Sequence, residues 1–186
     1  MTRAQLKAAA KEQIKGNIGI LFVIALITGL ITGTGIGSIL IPGLTLSLIA
    51  IYLNLANGQK ASVGDMFCRM GALGKGWWLN IITSFFISLW SALFVIPGIV
   101  KSFAYSMAPY VLAENPTMTA REALRVSKQI TQGHKFEIFI LQLSFFGWHL
   151  LGMITFGLAY IYIIPYMNAT MANFYNSIKG AEVVAE

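Results

Sequence analysis

The chain has 186 residues, of which 56% are hydrophobic and only 11% charged, and its net charge is +6. A soluble domain carries roughly 25% charged residues. This composition, with a mean hydropathy of +0.71, therefore argues against an ordinary water-facing surface and points to an all-α integral membrane protein. The lone cysteine, Cys68, rules out an internal disulfide framework and a cysteine-rich metal site.

In chain order, three short charged segments alternate with long apolar blocks. The first charged segment runs from Thr2 to Gly16-Asn17, with Arg3, Lys7, Lys11 and Lys15 at spacing four, so that all four share one helix face. It precedes an apolar run from Ile18 to Ile31 and has the look of a secretory signal. No small-x-small cleavage site follows, and the next segment is again hydrophobic, so it reads as a retained first helix. Expected membrane spans are Asn17–Gly33 and Ile39–Ala56, turning at the glycine-rich Thr32–Gly37.

The second charged segment, Ser62 to Lys75, reads as an amphipathic helix. Ser62 and Asp65 would cap it, and Val63, Met66, Phe67, Met70 and Leu73 fall on one face. The next block, Trp77 to Ala113, holds one charge, Lys101. As a single helix it would be about 55 Å long, well beyond the roughly 30 Å hydrocarbon core. It must fold back, and Ile96-Pro97-Gly98 is the expected turn between spans Trp77–Ile96 and Pro97–Ala113.

The third charged segment opens on Thr119-Ala120-Arg121-Glu122, a capping box. On a helical wheel Ala120, Ala123, Leu124, Ser127 and Ile130 share one arc, while Arg121, Glu122, Arg125, Lys128, Gln129 and Gln132 take the other. The last spans are Phe136–Met153 and Phe156–Phe174, turning near Gly152–Gly157, with Pro165 inside the final helix. The expectation is six transmembrane helices in three hairpins, each preceded by a short cytoplasmic amphipathic helix. They form a single membrane domain over 1–186, with repeat units at about 2–57, 62–114 and 119–178: the offsets from the caps match between the second and third segments, while the first, where Thr2 and Gln5 could cap the helix, matches less well. The Lys and Arg residues cluster beside the charged segments. Positive-inside bias then puts both termini of this multi-pass chain in the cytoplasm, with Trp77 and Trp78 as an interfacial belt on that side.

Few residues offer chemistry. Lys101 is an ionisable group inside an apolar block and has no carboxylate in any expected span. It reads in two ways: as a cation that snorkels to the outer surface, or, with Tyr105 one turn on, as a contact for a lipid phosphate or a ligand anion. Ser84, Ser88 and Ser91, the set Ser102, Tyr105, Ser106 and Tyr110, and Asn168, Thr170 and Asn173 suit helix packing, with a polar pocket as the alternative for the first two. His134 and His149 sit too far apart in the topology to share a metal, and Cys68 has no placed histidine to activate it. No catalytic residue, cofactor or metal is expected, and nucleic acid is not an expected partner. The cations Arg3, Lys7, Lys11, Lys15, Arg121, Arg125 and Lys128 are the candidate head-group contacts, since each cation near an anionic leaflet contributes about 1 kcal/mol.

The stretch Ile96-Pro97-Gly98-Ile99-Val100-Lys101 carries a resemblance, together with Tyr105-Ser106-Met107, Leu112-Ala113-Glu114-Asn115-Pro116, Gly133-His134-Lys135, Gly147-Trp148 and Ile164-Pro165-Tyr166. These motifs resemble a family of small bacterial membrane proteins catalogued as domain of unknown function 975, found mostly in Gram-positive bacteria. The likeness is strongest over the second half. More distantly, the chain is similar to the membrane domain preceding some glycerophosphodiester phosphodiesterases, whose catalytic domain has no expected counterpart in these 186 residues. The resemblance implies a six-helix bundle in the bacterial cytoplasmic membrane and no assigned reaction. Function is therefore expected to be non-enzymatic: binding of anionic lipids or of a protein partner at the cytoplasmic face. A membrane-embedded substrate-binding or carrier component for a small amphiphilic or anionic molecule is the alternative, and an intramembrane enzyme fits least.

Overall fold

The computed structural model describes residues 2–93, 95–155 and 157–183, except for the side chains at 35, 36, 38, 92, 93, 95–97 and 180–183. The described residues are helical and contain no strand. Helix α1 (Arg3–Lys15) starts at the Thr2–Gln5 capping box and is bent 83° from α2 (Ile18–Gly33). A 3-10 turn at Gly35–Leu40 leads to α3 (Ile41–Ala56), with Pro42 in its first turn, where a missing amide costs nothing.

The second charged segment does not form the expected regular amphipathic helix. Its Ser62–Asp65 capping box forms, but 3-10 turns at Val63–Phe67 and Met70–Ala72 follow. Gly64 and Gly71 weaken helix propagation there. Met66 is buried, whereas Val63 and Phe67, which the wheel puts on the same face, are exposed. Helix α4 (Leu73–Leu93) and α5 (Val95–Tyr105) then pack as a hairpin. The register is read from Phe86 against Tyr105, Lys101 over Trp90, and Gly98 against Ser91. A Cβ at Gly98 would lie 2.3 Å from the Ser91 hydroxyl, so only glycine allows this approach. Ile96-Pro97-Gly98, the expected turn, already belongs to α5, with Pro97 in its first turn.

The fourth expected span, Pro97–Ala113, is two helices. Helix α5 ends at Tyr105 and α6 (Ala108–Glu114) begins two residues later. Pro109 is the reason: it has no amide for the carbonyl of Tyr105, and its ring clashes with that carbonyl. At the break the Ala104 carbonyl accepts the Ser127 hydroxyl at 2.8 Å and the Thr131 hydroxyl at 3.3 Å. Both donors are fully buried on or just beyond α7 (Ala120–Ile130). The fifth expected span also divides, into α8 (Lys135–Leu143) and α9 (Phe146–Ile154). Helix α10 (Tyr160–Val183) returns along α9 through Trp148–Tyr162, Trp148–Tyr166 and Phe145–Tyr166 contacts and contains Pro165 as expected. The expected start of this last span, Phe156, lies outside the described residues.

The first two expected spans do not close as a tight hairpin. Helix α2 meets the 3-10 turn, α10 and the 63–67 turn, while α3 runs through the centre against α10 and α6. The densest packing is where α3, α6 and the second half of α10 meet, with α1 and α7 laid against them. The apolar arc of α7 is buried residue for residue as the wheel predicts, and Leu6, Ala10 and Ile14 of α1 face α10. Protein, not lipid, covers these amphipathic faces.

Away from this core the exterior is apolar. Ile18, Phe22, Leu26 and Leu30 of α2 are exposed, as are Phe85 and Leu89 of α4 and Leu150 and Ile154 of α9. By length and composition, one stretch among the described residues, Lys135–Ile154, is sufficient alone to cross a membrane, and the bent α1–α2 pair passes as a unit. Removing the bonds at the break tests what holds α7. Replacing Ser127 with Ala and Thr131 with Val leaves the Ala104 carbonyl buried without those donors, and the expected loss is about 1–3 kcal/mol, seen as a lowered thermal midpoint of the purified protein. An unchanged midpoint would mean that the two hydroxyls do not hold the break together.

Candidate functional site

Among the described residues, a groove of about 630 Å³ lies between α4, the end of α5 and α7. Trp78, Ile81, Ile82, Phe85 and Phe86 form its apolar wall. Arg121, Arg125 and Lys128, together with Leu124, form the opposite wall, and Tyr105 lies at the α5 end. The capping box sets this arrangement. The Thr119 amide and hydroxyl each donate to the Glu122 carboxylate at 2.8 Å, which starts the helix at Ala120. The buried arc then fixes the rotation of α7 and turns its cations toward α4. Those same bonds, the backbone amide first, hold the Glu122 carboxyl below its ordinary value. A second, more polar depression of about 460 Å³ adjoins it, sharing Trp78 and Arg121 and adding Gly74, Lys75 and Thr119. The Lys75 ammonium donates to the Pro116 carbonyl at 2.7 Å and the Thr117 carbonyl at 2.9 Å, tying α4 to the loop before α7.

Of the expected contacts, the structure gathers Arg121, Arg125, Lys128 and Tyr105 into one groove. Lys101 is not among them: its ammonium sits 5.0 Å from the centre of the Trp90 ring, an aromatic face in place of a counter-ion. Arg3, Lys11 and Lys15 are exposed on α1, far in sequence from the groove. Lys7 is turned inward, 4.4 Å from the Phe145 ring centre and 3.4 Å from the Ser144 carbonyl, and burial lowers its pKa. Ile81, Ile82, Phe85 and Phe86 were not legible as a binding wall. Their only sequence signal is an aromatic run in which exposed and half-buried positions look alike.

The other polar candidates resolve mainly into packing. Ser102 and Ser106 donate to carbonyls one turn back. Asn173 and Gln13 exchange two hydrogen bonds, at 2.9 and 3.1 Å, that join α10 to α1. Ser84 and Ser88 are exposed, while Ser91 meets Gly98. His134 pairs with Glu137 at 3.1 Å, and among the described residues no group of three His, Cys, Asp or Glu side chains gathers as a metal site.

A further ionic cluster closes the core. Glu114, at the end of α6, is paired with Lys179 and accepts the Tyr175 hydroxyl at 2.6 Å, both from α10. Tyr175 also stacks on Tyr110 at 5.9 Å. Burial alone pushes the Glu114 carboxyl up, but hydrogen bonds from Lys179 and Tyr175 and the Lys179 charge outweigh it and leave the carboxyl below its ordinary 4.5. Burial, then the adjoining carboxylate, drives the Tyr175 phenol upward.

The comparison with known families bears on the chain's second half. Residues 93–182 match the family described as Protein of unknown function (DUF975). This is the family that the motifs resemble. The DUF975 match takes in α5 to α10, including the Pro109 break, the cationic wall of α7 and the Glu114–Lys179 pair, and it leaves out nearly all of α4. Its description carries no activity to transfer. No curated protein and no solved structure matches the chain.

The Glu114 cluster makes a signed pH prediction. Since the folded carboxyl titrates below its unfolded value, its contribution is complete above about pH 4.5 and is lost as pH falls through the folded value. The thermal midpoint of the parent should exceed that of Glu114→Gln at neutral pH, and the gap should close on acidification. A gap that stays constant with pH would dissociate Glu114 from the effect.

Proposed function

We propose that this chain is a small non-enzymatic integral membrane protein of the bacterial cytoplasmic membrane that binds anionic lipid at its cytoplasmic face. The observation that carries this reading is one juxtaposition: the exposed apolar face of α4 adjoins, across a single groove, a row of three cations, on a molecule whose α2 and α9 also expose apolar side chains. Soluble monomers rarely expose apolar patches beyond a few hundred Å², and a cation row bordering such a surface is complementary to acyl chains below a phosphate layer.

In this reading α2, α3, α4, the α5–α6 pair, the α8–α9 pair and α10 are six crossings of three repeated units, with both termini cytoplasmic. Helices α2 and α3 have 16 residues each, about 24 Å of helix, so they need the adjoining 3-10 turn or local thinning to reach across. Because the apolar arcs of α1 and α7 are spent on the core, lipid meets the charged faces of these helices and not their apolar ones. The three capping boxes at Thr2, Ser62 and Thr119 support the repeat. The alternative, a binding or carrier component for a small amphiphilic anion, is favoured by the groove volume, which lies in the range of ligand sites. That groove opens along the flank of α4 and α7, a place better suited to a lipid.

Two measurements test the proposal. Reconstituted in zwitterionic vesicles and then with anionic phospholipid added, the parent should gain thermal stability, and the R121Q/R125Q/K128Q variant should lose about 3 kcal/mol of that lipid-dependent gain. Equal gains for both would remove the cation row from lipid binding. Cys68, exposed in the 62–72 segment, should resist an impermeant maleimide in intact cells and react once they are opened. Labelling from outside would invert the topology.

A further inference from the structure

We propose that the α4–α7 groove selects a lipid whose headgroup carries more than one negative charge, a phosphomonoester or a diphosphate. This rests on the lipid-binding reading above and sharpens it. Arg121, Arg125 and Lys128 follow one another at four and three residues, so neighbours on this face stand about 5–6 Å apart. The row spans about 10 Å of helix.

Among the described residues no carboxylate forms an ion pair with this row. Glu122, the acid of this helix, offsets part of the charge beside Arg125, but its oxygens are engaged by the Thr119 cap through two bonds, so three cations stand against one carboxylate. The ion pairs among the described residues are His134–Glu137 and Glu114–Lys179, both elsewhere. A phosphodiester brings a single charge and offsets only half of the excess that remains. A phosphomonoester or diphosphate supplies the second charge and further oxygens, and each arginine can take phosphate oxygens in a bidentate fork. The opposite wall fixes the source as a lipid rather than free phosphate: Trp78, Ile81 and Phe85 are exposed and apolar, positioned for a hydrocarbon chain.

Trp78 provides the probe. A W77F/W90F/W148F variant keeps it as the reporter, titrated in detergent with lipids brominated on the acyl chain and headed by phosphocholine, phosphoglycerol or a bare phosphate. The pH is kept near 8, above the second phosphate pKa of about 6. The phosphatidate should reach half-quenching at a mole fraction about fivefold below the phosphatidylglycerol. R121Q/R125Q/K128Q should erase that difference. Equal quenching by these two, both ahead of the phosphatidylcholine, would overturn the multiple-charge inference and leave the lipid reading standing. Equal quenching by all three would overturn both. Native mass spectrometry of the parent with the same unbrominated lipids gives the ordering independently of the tryptophan substitutions.

Discussion

The break at Pro109 organises the half of the molecule that carries the groove. A proline there cannot continue α5, so the chain leaves the helix at Tyr105, and the Ala104 carbonyl needs donors from elsewhere. Ser127 and Thr131 supply them from a part of the chain more than twenty residues later. Their bonds set the height and rotation of α7 together with its buried arc. Once α7 is fixed, Arg121, Arg125 and Lys128 can only face α4, and a charged row comes to lie beside Trp78, Ile81 and Phe85. The groove is thus a consequence of how one interrupted helix satisfies its backbone.

This dependence changes what the amphipathic segments are for. A basic amphipathic helix beside a hydrophobic block suggests a helix floating on the bilayer with its apolar face in lipid. Here the apolar arcs of α1 and α7 are consumed by α10, α6 and α4, and the helices act as lids on the core. The cations are thereby held at defined positions instead of on mobile surface helices. A fixed row can discriminate between headgroups, whereas a floating helix responds mainly to surface charge.

Local chemistry made much of the fold readable. The capping boxes at Thr2, Ser62 and Thr119 all form, the buried arc of α7 matches its wheel, and Pro165 sits inside α10. The misses have physical causes of two kinds. Some are local signals outweighed by overall hydropathy: Pro109 divides an apolar span, and Gly64 and Gly71 turn an apparent amphipathic helix into 3-10 turns. Others are tertiary and carry no periodicity. Lys7 against Phe145, Glu114 with Lys179, and Tyr105 in one groove with Arg121 bring together residues that no spacing rule connects. For that reason the candidate cations were legible in type, but their division into groove residues and packing residues was not.

Helix α7 is docked on the protein by its buried face. Amide hydrogen exchange of the purified protein, followed in detergent and again in lipid nanodiscs, tests that docking directly. The amides of Ala120–Ile130 should be slow in both environments, comparable to those of α3. An α7 that exchanges rapidly in detergent and becomes protected only when bilayer is supplied would contradict the docking.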